Sequence, residues 1–293
     1  MKIGIFGSGS AALRYYKILR ENNVEALLIR DDLSKITRNG LVYPVIRNSN
    51  LQTLDSVIIA SRTDKRLKHI EMAIKANIKH FLIEKPIFTN LEEEEKLFHV
   101  KSIDYAFYTG DQYYYDDLLD QIPKELIIKE IEIIYSENIN KVTKGRLDSY
   151  ALNPNSGGAK WTFSHSLFVA VEYLKRSNIK KNFSDAFKNS LRDELNHFEV
   201  EYKFSNLKVR IKNIFHENDS ASLFQMNIFN YQGVKFVYDF NDRCIICDGE
   251  VIYKSQLSRL DLIDRNVQGF LAKKYNDQFI TSYEVSRLLG DKN

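Results

Sequence analysis

The sequence contains few cysteines, few prolines and no long apolar run. Two cysteines in 293 residues exclude a scaffold held by disulfides, and four prolines with 12 glycines exclude collagen-like and low-complexity chains. The longest apolar runs, such as residues 56–60, are far shorter than the roughly 20 residues of a membrane-spanning helix. The N-terminal segment MKIGIFGSGS also lacks the apolar stretch of a signal peptide. We therefore expect a cytoplasmic protein without a membrane partner.

An excess of charge of one sign is also lacking. The 42 lysines and arginines nearly balance the 39 aspartates and glutamates, and the net charge of +3 is spread along the chain. Nucleic-acid binding requires a concentrated basic patch, so we expect no nucleic-acid partner. With 44% hydrophobic and 28% charged residues, the composition is that of a globular protein and excludes a disordered one.

Two patterns divide the chain. Residues 1–110 alternate short apolar strands with helices, which predicts a doubly wound parallel sheet of the Rossmann type. From residue 197, apolar and polar residues alternate, which predicts a mostly antiparallel sheet with one polar face. The expected fold is therefore an α/β domain over residues 1–112 and an α+β domain over residues 113–293. The helices predicted at about 257–289 either belong to the second domain or pack back on the first.

A glycine-rich turn links the first predicted strand to the first predicted helix. In Gly7-x-Gly9-x-x-Ala12, Gly7 permits a tight turn, Gly9 lets the backbone approach a pyrophosphate, and Ala12 lets the helix pack against the strand. Ser10 and Ala11 of the turn are further candidate cofactor-binding residues, and the helix that follows supplies free N–H groups and the positive end of its dipole. Because the turn directly follows a strand, it predicts a binding site for NAD or NADP, and a glycine turn without a ligand is the alternative.

The end of the second predicted strand bears on the choice of cofactor. Asp31, 24 residues after Gly7, could accept a hydrogen bond from the ribose 2′-OH of NAD. Its neighbour Arg30 could instead hold the 2′-phosphate of NADP. The sequence slightly favours NAD, and a solvated strand end without a ligand is the alternative.

Residues 54–90 carry a second signal. An apolar strand is followed by the loop SRT at residues 61–63, and a helix and a further strand lead to EKP at residues 84–86. Together with the glycine turn, this segment resembles the Gfo/Idh/MocA family of oxidoreductases, and the resemblance covers about residues 1–175. It implies a dinucleotide-binding first domain whose cofactor site includes Ser61, Arg62, Glu84 and Lys85.

The resemblance implies hydride transfer between nicotinamide and a carbinol or carbonyl carbon of a sugar, nucleotide sugar or cyclitol, with imine reduction as a variant. It places Lys85 beside the nicotinamide and the reacting carbon, and it implies a cis bond before Pro86. An ammonium group at the carboxyl end of a parallel strand could stabilise the developing charge of an alkoxide. A surface lysine is the alternative for Lys85, and a non-catalytic NAD(P)-binding sensor is the alternative for the protein.

The segment SGGAKWTFSH at residues 156–165 resembles the family's glycine-rich segment and the helix after it. The family places an acid and, four residues later, a histidine on one face of that helix. Here His165 matches the histidine, and Trp161 stands at the position of the acid. The resemblance implies proton transfer by His165, and a packed helix histidine is the alternative. Trp161 cannot titrate, so it indicates altered chemistry, an aromatic substrate site or lost catalysis.

Further substrate contacts are expected near this segment. Arg146 and Asp148 precede it, and Tyr113 and Tyr114 lie just after the first domain, where the family's chain enters the cleft. Tyrosines could stack on a sugar ring or donate hydrogen bonds, and core packing is the alternative. Together with the two helix residues named above, they form the expected small-molecule substrate site between the domains.

Two other features are given no catalytic role. The C-x-x-C at Cys244 and Cys247 lies in a strand pattern and has no second cysteine pair, so we expect no metal site.

The resemblance also implies a homo-oligomer, a dimer or tetramer, paired through the open face of the second sheet. Because charged residues are depleted at interface cores, we expect a polar, salt-sensitive association or none. The charged residues predicted on this face are Glu199, Glu201, Lys203, Lys208, Arg210 and Lys212.

Overall fold

The computed structural model divides the chain into two compact units. The first unit comprises residues 1–111 and 263–293, and the second comprises residues 112–262. The structure describes residues 1–31, 36–38, 41–88, 92–93, 95–96, 105–121, 127–143, 152, 158–162, 164–177, 179, 183–218, 220–273 and 278–290.

The first unit is built on a six-stranded parallel sheet, which confirms the predicted doubly wound fold. The strands of this unit are β1 (Lys2–Phe6), β2 (Glu25–Arg30), β3 (Ile36–Arg38), β4 (Leu41–Tyr43), β5 (Val45–Arg47), β6 (Ser56–Ile59), β7 (His80–Ile83) and β8 (Ala106–Thr109). The sheet has the order β5-β2-β1-β6-β7-β8, and β3 and β4 form a separate antiparallel pair. Strands β1 and β6 lie at the centre of the sheet, with β2 and β5 on the side of β1 and with β7 and β8 on the side of β6. The strand order therefore reverses between β1 and β6.

Seven α-helices are described along the chain. They are α1 (Ser10–Glu21), α2 (Thr63–Lys75), α3 (Ile139–Thr143), α4 (Gly158–Thr162), α5 (Ser164–Arg176), α6 (Arg259–Leu271) and α7 (Gln278–Gly290). Four 3₁₀ turns accompany them, at Asn48–Thr53, Gln112–Tyr115, Asp117–Asp120 and Phe183–Asp185.

Helices cover both faces of the parallel sheet, so its strands are apolar on both sides. On one face, Ile5 and Ile58 pack with Leu19 of α1 and with Phe270 of α6. On the other face, residues of β6 and β7 pack with α2 and with Phe279 of α7. This arrangement leaves the carboxyl ends of the strands as the edge where loops meet.

The second unit contains an eight-stranded sheet, which confirms the predicted, mostly antiparallel second sheet. Its strands are β9 (Ile128–Asn138), β10 (Phe187–Asp193), β11 (His197–Lys203), β12 (Lys208–His216), β13 (Leu223–Asn230), β14 (Lys235–Asp239), β15 (Cys244–Cys247) and β16 (Glu250–Lys254). The order is β10-β11-β12-β9-β13-β14-β15-β16, and β9 and β12 pair in parallel while the other neighbours are antiparallel. Helix α5 packs against β9 and β12.

Charged side chains of neighbouring strands pair across the second sheet. Arg210 of β12 lies between Glu201 of β11 and Glu132 of β9 in the strand register, and its guanidinium is 2.9 Å from the Glu201 carboxylate. Lys208 pairs with Glu130 at 2.8 Å. These ion pairs link neighbouring strands of the sheet within one chain.

Candidate functional site

The glycine turn after β1 has the backbone geometry that an approaching anion requires. Gly7 has φ +118°, and a Cβ atom there would lie 2.6 Å from the Ala60 carbonyl oxygen, so only glycine fits. A Cβ atom on Gly9 would meet no protein atom within 4 Å. The turn is therefore closed against the protein at Gly7 and open at Gly9.

Helix α1 begins directly after this open position. Ser10 and Ala11 are its first residues, and the Leu13 amide donates to the Gly9 carbonyl oxygen at 3.1 Å to close the first turn. The first N–H groups of a helix have no acceptor within the helix, and the helix dipole is positive at this end. Open space beside Gly9 and free amides at α1 fit the pyrophosphate of a dinucleotide.

An asparagine that the sequence analysis did not single out holds Asp31 at the end of β2. Asn48 follows β5, the strand beside β2, and its Nδ2 donates to Asp31 Oδ1. Asp31 is exposed and Arg30 is half-buried. The oriented carboxylate lies where the ribose of a dinucleotide is expected.

Glu84 is held by a tyrosine from α1. The Tyr15 hydroxyl donates to Glu84 Oε1 at 2.8 Å, and the Lys85 amide donates to Glu84 Oε2 at 3.1 Å. Burial and the nearby Glu84 carboxylate raise the pKa of Tyr15 well above its ordinary value, so the hydroxyl remains a donor. Gly110 lies against this pair, since a Cβ atom there would be 2.5 Å from the tyrosine oxygen.

The Lys85–Pro86 peptide bond is cis, as the resemblance implies. Pro86 is buried, the Lys85 side chain is half-buried, and the next amide, of Ile87, donates to Ser286 Oγ of α7 at 3.0 Å. The segment that carries the lysine is thus fixed on both sides, by Glu84 before it and by α7 after it.

The loop after β6 is held by side chains of α2. Ser61 Oγ lies 2.8 Å from His69 Nδ1, and the His69 ring stacks on Phe6 with 4.5 Å between centroids. Burial, with Lys65 and Lys68 nearby, lowers the pKa of His69 to about 4, so this histidine is neutral at neutral pH. The exposed neighbour of Ser61, Arg62, pairs with Asp64 at 3.2 Å.

Four loops therefore meet at the carboxyl edge of one parallel sheet. They follow β1, β2, β6 and β7, and they carry the candidate residues Gly9, Asp31, Ser61 and Lys85. Ligands of open α/β sheets bind at this edge where the strand order reverses, which here is between β1 and β6.

The candidate residues of the second unit have a different environment. His165 is only 4% exposed, and its ring lies 5.5 Å from Tyr113, 4.6 Å from Tyr135 and 5.1 Å from Phe224. Burial raises the pKa of Tyr135 to about 12. These contacts are those of a packed helix histidine, so proton transfer by His165 remains a prediction.

Tyr113 and Tyr114 differ in their contacts. Tyr113 is buried against Phe224 and Phe240. The Tyr114 carbonyl accepts a hydrogen bond from Arg176, whose guanidinium also lies 5.7 Å from the Tyr114 ring. Both tyrosines therefore contribute to packing in this unit, whatever their role toward a substrate.

Three predicted substrate residues lie wholly or partly outside the described residues. Arg146 and Asp148 lie outside the described residues. Trp161 belongs to α4, and its side chain is likewise outside the described part. The prediction that these residues line a substrate site stays a prediction.

The C-x-x-C of β15 lies in a strand. Cys244 is buried and Cys247 half-buried, both are free thiols, and burial raises the pKa of each.

In the part of the chain that is described, no group of three or more His, Cys, Asp or Glu side chains is arranged to hold a metal ion. Within the same described ranges, no helix is both long and apolar enough to cross a membrane.

The glycine turn, the open N-terminus of α1 and the carboxyl edge of the parallel sheet define a dinucleotide-binding Rossmann domain. Residues 1–102 match the profile of the GFO_IDH_MocA family, described as "Oxidoreductase family, NAD-binding Rossmann fold". Residues 1–102 are therefore similar to the NAD-binding domain of the Gfo/Idh/MocA oxidoreductases. No protein of curated function matches the sequence.

Solved structures share the fold of the whole chain. A dehydrogenase (MviM) from Clostridium difficile is 17% identical over 99% of this chain and 97% of its own, with a TM-score of 0.70. UDP-N-acetylglucosamine 3-dehydrogenase GnnA from Acidithiobacillus ferrooxidans is 14% identical over 99% and 95%, with a TM-score of 0.71. The WlbA (WbpB) dehydrogenase from Thermus thermophilus, in complex with NAD and UDP-GlcNAcA, is 15% identical over 99% and 93%, with a TM-score of 0.71. At these identities the likeness establishes the fold.

Proposed function

We propose that the protein is an NAD(P)-dependent dehydrogenase or reductase that transfers a hydride between nicotinamide and a carbinol or carbonyl carbon of a sugar, nucleotide sugar or cyclitol. The observation that carries the proposal is the meeting of an open glycine turn and the Glu84-Lys85-Pro86 segment at one sheet edge. Two solved proteins of the same fold are a UDP-N-acetylglucosamine 3-dehydrogenase and a dehydrogenase with bound NAD and UDP-GlcNAcA, which supports the substrate class.

The residues of the first unit fit the dinucleotide. Gly7, Gly9 and the first amides of α1 would hold the pyrophosphate, and Asp31 would accept hydrogen bonds from the adenosine ribose. The contact from Asn48 orients the Asp31 carboxylate, and this favours NAD over NADP. When bound, the cofactor supplies the hydride donor or acceptor; the protein binds and orients it.

Lys85 is the proposed catalytic residue of this unit. Hydride addition to a carbonyl places negative charge on its oxygen, and an ammonium at a fixed position stabilises that charge. The Lys85 amide is tied to the Glu84 carboxylate, which Tyr15 holds in turn. The main chain that carries the ammonium is therefore held in place before the substrate arrives.

A second candidate function is a dinucleotide-binding sensor without turnover. The observation in its favour is the burial of His165 among three aromatic rings, because a packed imidazole is a poor proton shuttle. Reduction of an imine by the same fold is the third candidate, since it depends less on a proton relay.

The test is a substrate screen with purified protein, followed by nicotinamide absorbance, after NAD(H) and NADP(H) affinities are measured by calorimetry. Turnover of a sugar, nucleotide sugar or cyclitol supports the dehydrogenase, and turnover of imines alone supports the reductase. Binding without turnover across both classes favours the sensor. Protein that binds neither dinucleotide contradicts the proposal.

A further inference from the structure

Arg66 is a buried arginine at the sheet edge that carries Lys85. It lies in the first turn of α2, and only 6% of its surface is exposed. Its Nε donates to the Ser61 carbonyl oxygen at 3.2 Å, and a terminal nitrogen donates to the Pro86 carbonyl oxygen. One guanidinium thus joins the loop after β6 to the loop after β7.

The choice of arginine has a physical reason. Burying a cation costs free energy, and hydrogen bonds must offset that cost. The planar guanidinium offers several donors at fixed angles, so it can bind two carbonyl oxygens of different loops at once, whereas a lysine ammonium is a compact charge on a flexible stem. Arg66 can therefore hold the two loops at a fixed spacing more rigidly than a lysine would.

These two loops lie at one end of the expected cofactor site. The glycine turn follows β1, and Asp31 follows β2, so the pyrophosphate and the adenosine ribose are expected there. The strand order continues from β1 to β6 and β7 on the other side. A dinucleotide that crosses the reversal point therefore carries its nicotinamide half over the loops of Ser61 and Pro86.

Two other side-chain contacts in this region each hold one loop. His69 contacts the Ser61 hydroxyl, and Tyr15 contacts Glu84. Arg66 differs from both because its two contacts belong to different loops.

We propose that Arg66 is a positioning residue for the nicotinamide half of the dinucleotide. By fixing the Ser61 and Pro86 loops to each other, it shapes the pocket for the nicotinamide ring and places Lys85 beside it, while the rest of the dinucleotide binds without its help. This inference rests on the proposed function, because it requires NAD(P) to bind at this sheet edge.

The experiment compares two ligands that differ only at the nicotinamide end, NADH and ADP-ribose. Calorimetry measures both affinities for the wild type, Arg66→Met and Arg66→Lys. We expect Arg66→Met to bind NADH at least ~10-fold more weakly and ADP-ribose within about twofold of the wild type. Arg66→Lys should keep part of the NADH affinity. Lys75→Met, which removes an exposed cation from the same helix, is the matched control and should change neither affinity.

A second readout uses only the wild-type protein. Hydrogen–deuterium exchange of the wild type should show slower exchange at residues 61–67 and 84–88 with NADH than with ADP-ribose. Equal protection by both ligands would overturn the inference. So would equal losses of NADH and ADP-ribose affinity in Arg66→Met, which indicate a structural role only, or unchanged NADH affinity. Wild-type protein that binds neither ligand would instead overturn the proposed function, and the inference with it.

Discussion

The Tyr15 hydroxyl donates a hydrogen bond to Glu84 Oε1 at 2.8 Å, joining helix α1 to the segment that carries Lys85. The two residues are 69 positions apart in the sequence. Tyr15 is buried and Glu84 is half-buried. Gly110 leaves room for the pair, since any side chain at that position would collide with it.

Removing this hydroxyl is the first test. Tyr15→Phe should lower the free energy of unfolding by about 1–3 kcal/mol, because a carboxylate oxygen loses its buried donor. Chemical denaturation measures the change. Tyr16→Phe, on the half-buried neighbour in the same helix, is the control and should stay within about 0.5 kcal/mol of the wild type. Equal effects of the two variants would show that the contact contributes nothing.

Substitutions of the two glycines of the turn should have different effects, one on the free energy of unfolding and the other on NAD(P) binding. Gly7→Ala should lower the free energy of unfolding by more than ~1 kcal/mol, since φ is +118° and the new Cβ would meet the Ala60 carbonyl. Gly9→Val should leave the unfolding free energy near that of the wild type but abolish NAD(P) binding, because its side chain fills the open space. Chemical denaturation measures the free energy of unfolding of both variants, and calorimetry measures their NAD(P) affinity. A folded Gly9→Val protein with wild-type affinity would contradict the assignment of the turn.

The apolar strands and the glycine turn could be predicted from local sequence because each depends on nearby residues. Runs such as Val57–Ile59 indicate a strand buried on both faces, and residues 7–12 indicate the turn. Local patterns show which face of a helix is apolar, but they do not show which distant group a polar side chain on that face contacts. The contacts from Tyr15, Asn48 and Arg66 therefore became visible only in the structure.

The same limit applies to His165. Its position in the segment at residues 156–165 is compatible with both a proton shuttle and a packed imidazole. The rings that surround it come from a 3₁₀ turn and two strands distant in the sequence, Tyr113, Tyr135 and Phe224. No spacing rule within one helix could have predicted that enclosure.

The choice between NAD and NADP can be tested at the end of β2. Asp31→Ser should weaken NAD binding roughly 10-fold, because the carboxylate that would accept from the ribose is lost, and should not weaken NADP binding. Arg30→Ala should weaken NADP selectively if its guanidinium holds the 2′-phosphate. Calorimetry measures the affinity of each variant for NAD and for NADP. Equal effects of Arg30→Ala on both dinucleotides would remove Arg30 from that role.

His80 predicts an acid-sensitive stability of the first unit. Burial, with Lys273 nearby, lowers the pKa of His80 to about 4, and its ring stacks on Phe270. The unfolded chain, with a histidine pKa of about 6.5, binds more protons than the folded chain between these values. Titration of His80 alone should therefore lower the free energy of unfolding by on the order of 2–3 kcal/mol as the pH falls from about 6.5 to 4.

Denaturation curves across this pH range measure the effect. His80→Phe should reduce the slope of unfolding free energy against pH, leaving the contribution of the half-buried His69, whose pKa is also lowered to about 4. Ser56→Ala is the control, because it removes the 2.9 Å contact to His80 Nδ1 but keeps the titrating ring. It should lower stability at every pH without removing the slope. An unchanged slope in His80→Phe would show that other groups cause the acid sensitivity.

The last prediction concerns the catalytic residues and requires a substrate from the screen. Lys85→Met should retain cofactor affinity but lose turnover by at least ~10², the usual loss when one preorganised donor to a developing oxyanion is removed. His165→Ala should lose somewhat less, and His165→Phe, which preserves an aromatic ring in the cluster, distinguishes proton transfer from packing. If His165→Phe turns over like the wild type, the histidine is a packing residue and the proton comes from elsewhere. Trp161→Asp, which restores an acid four residues before His165, should change the pH profile of turnover rather than abolish it. Wild-type turnover by Lys85→Met would remove Lys85 from the catalytic role.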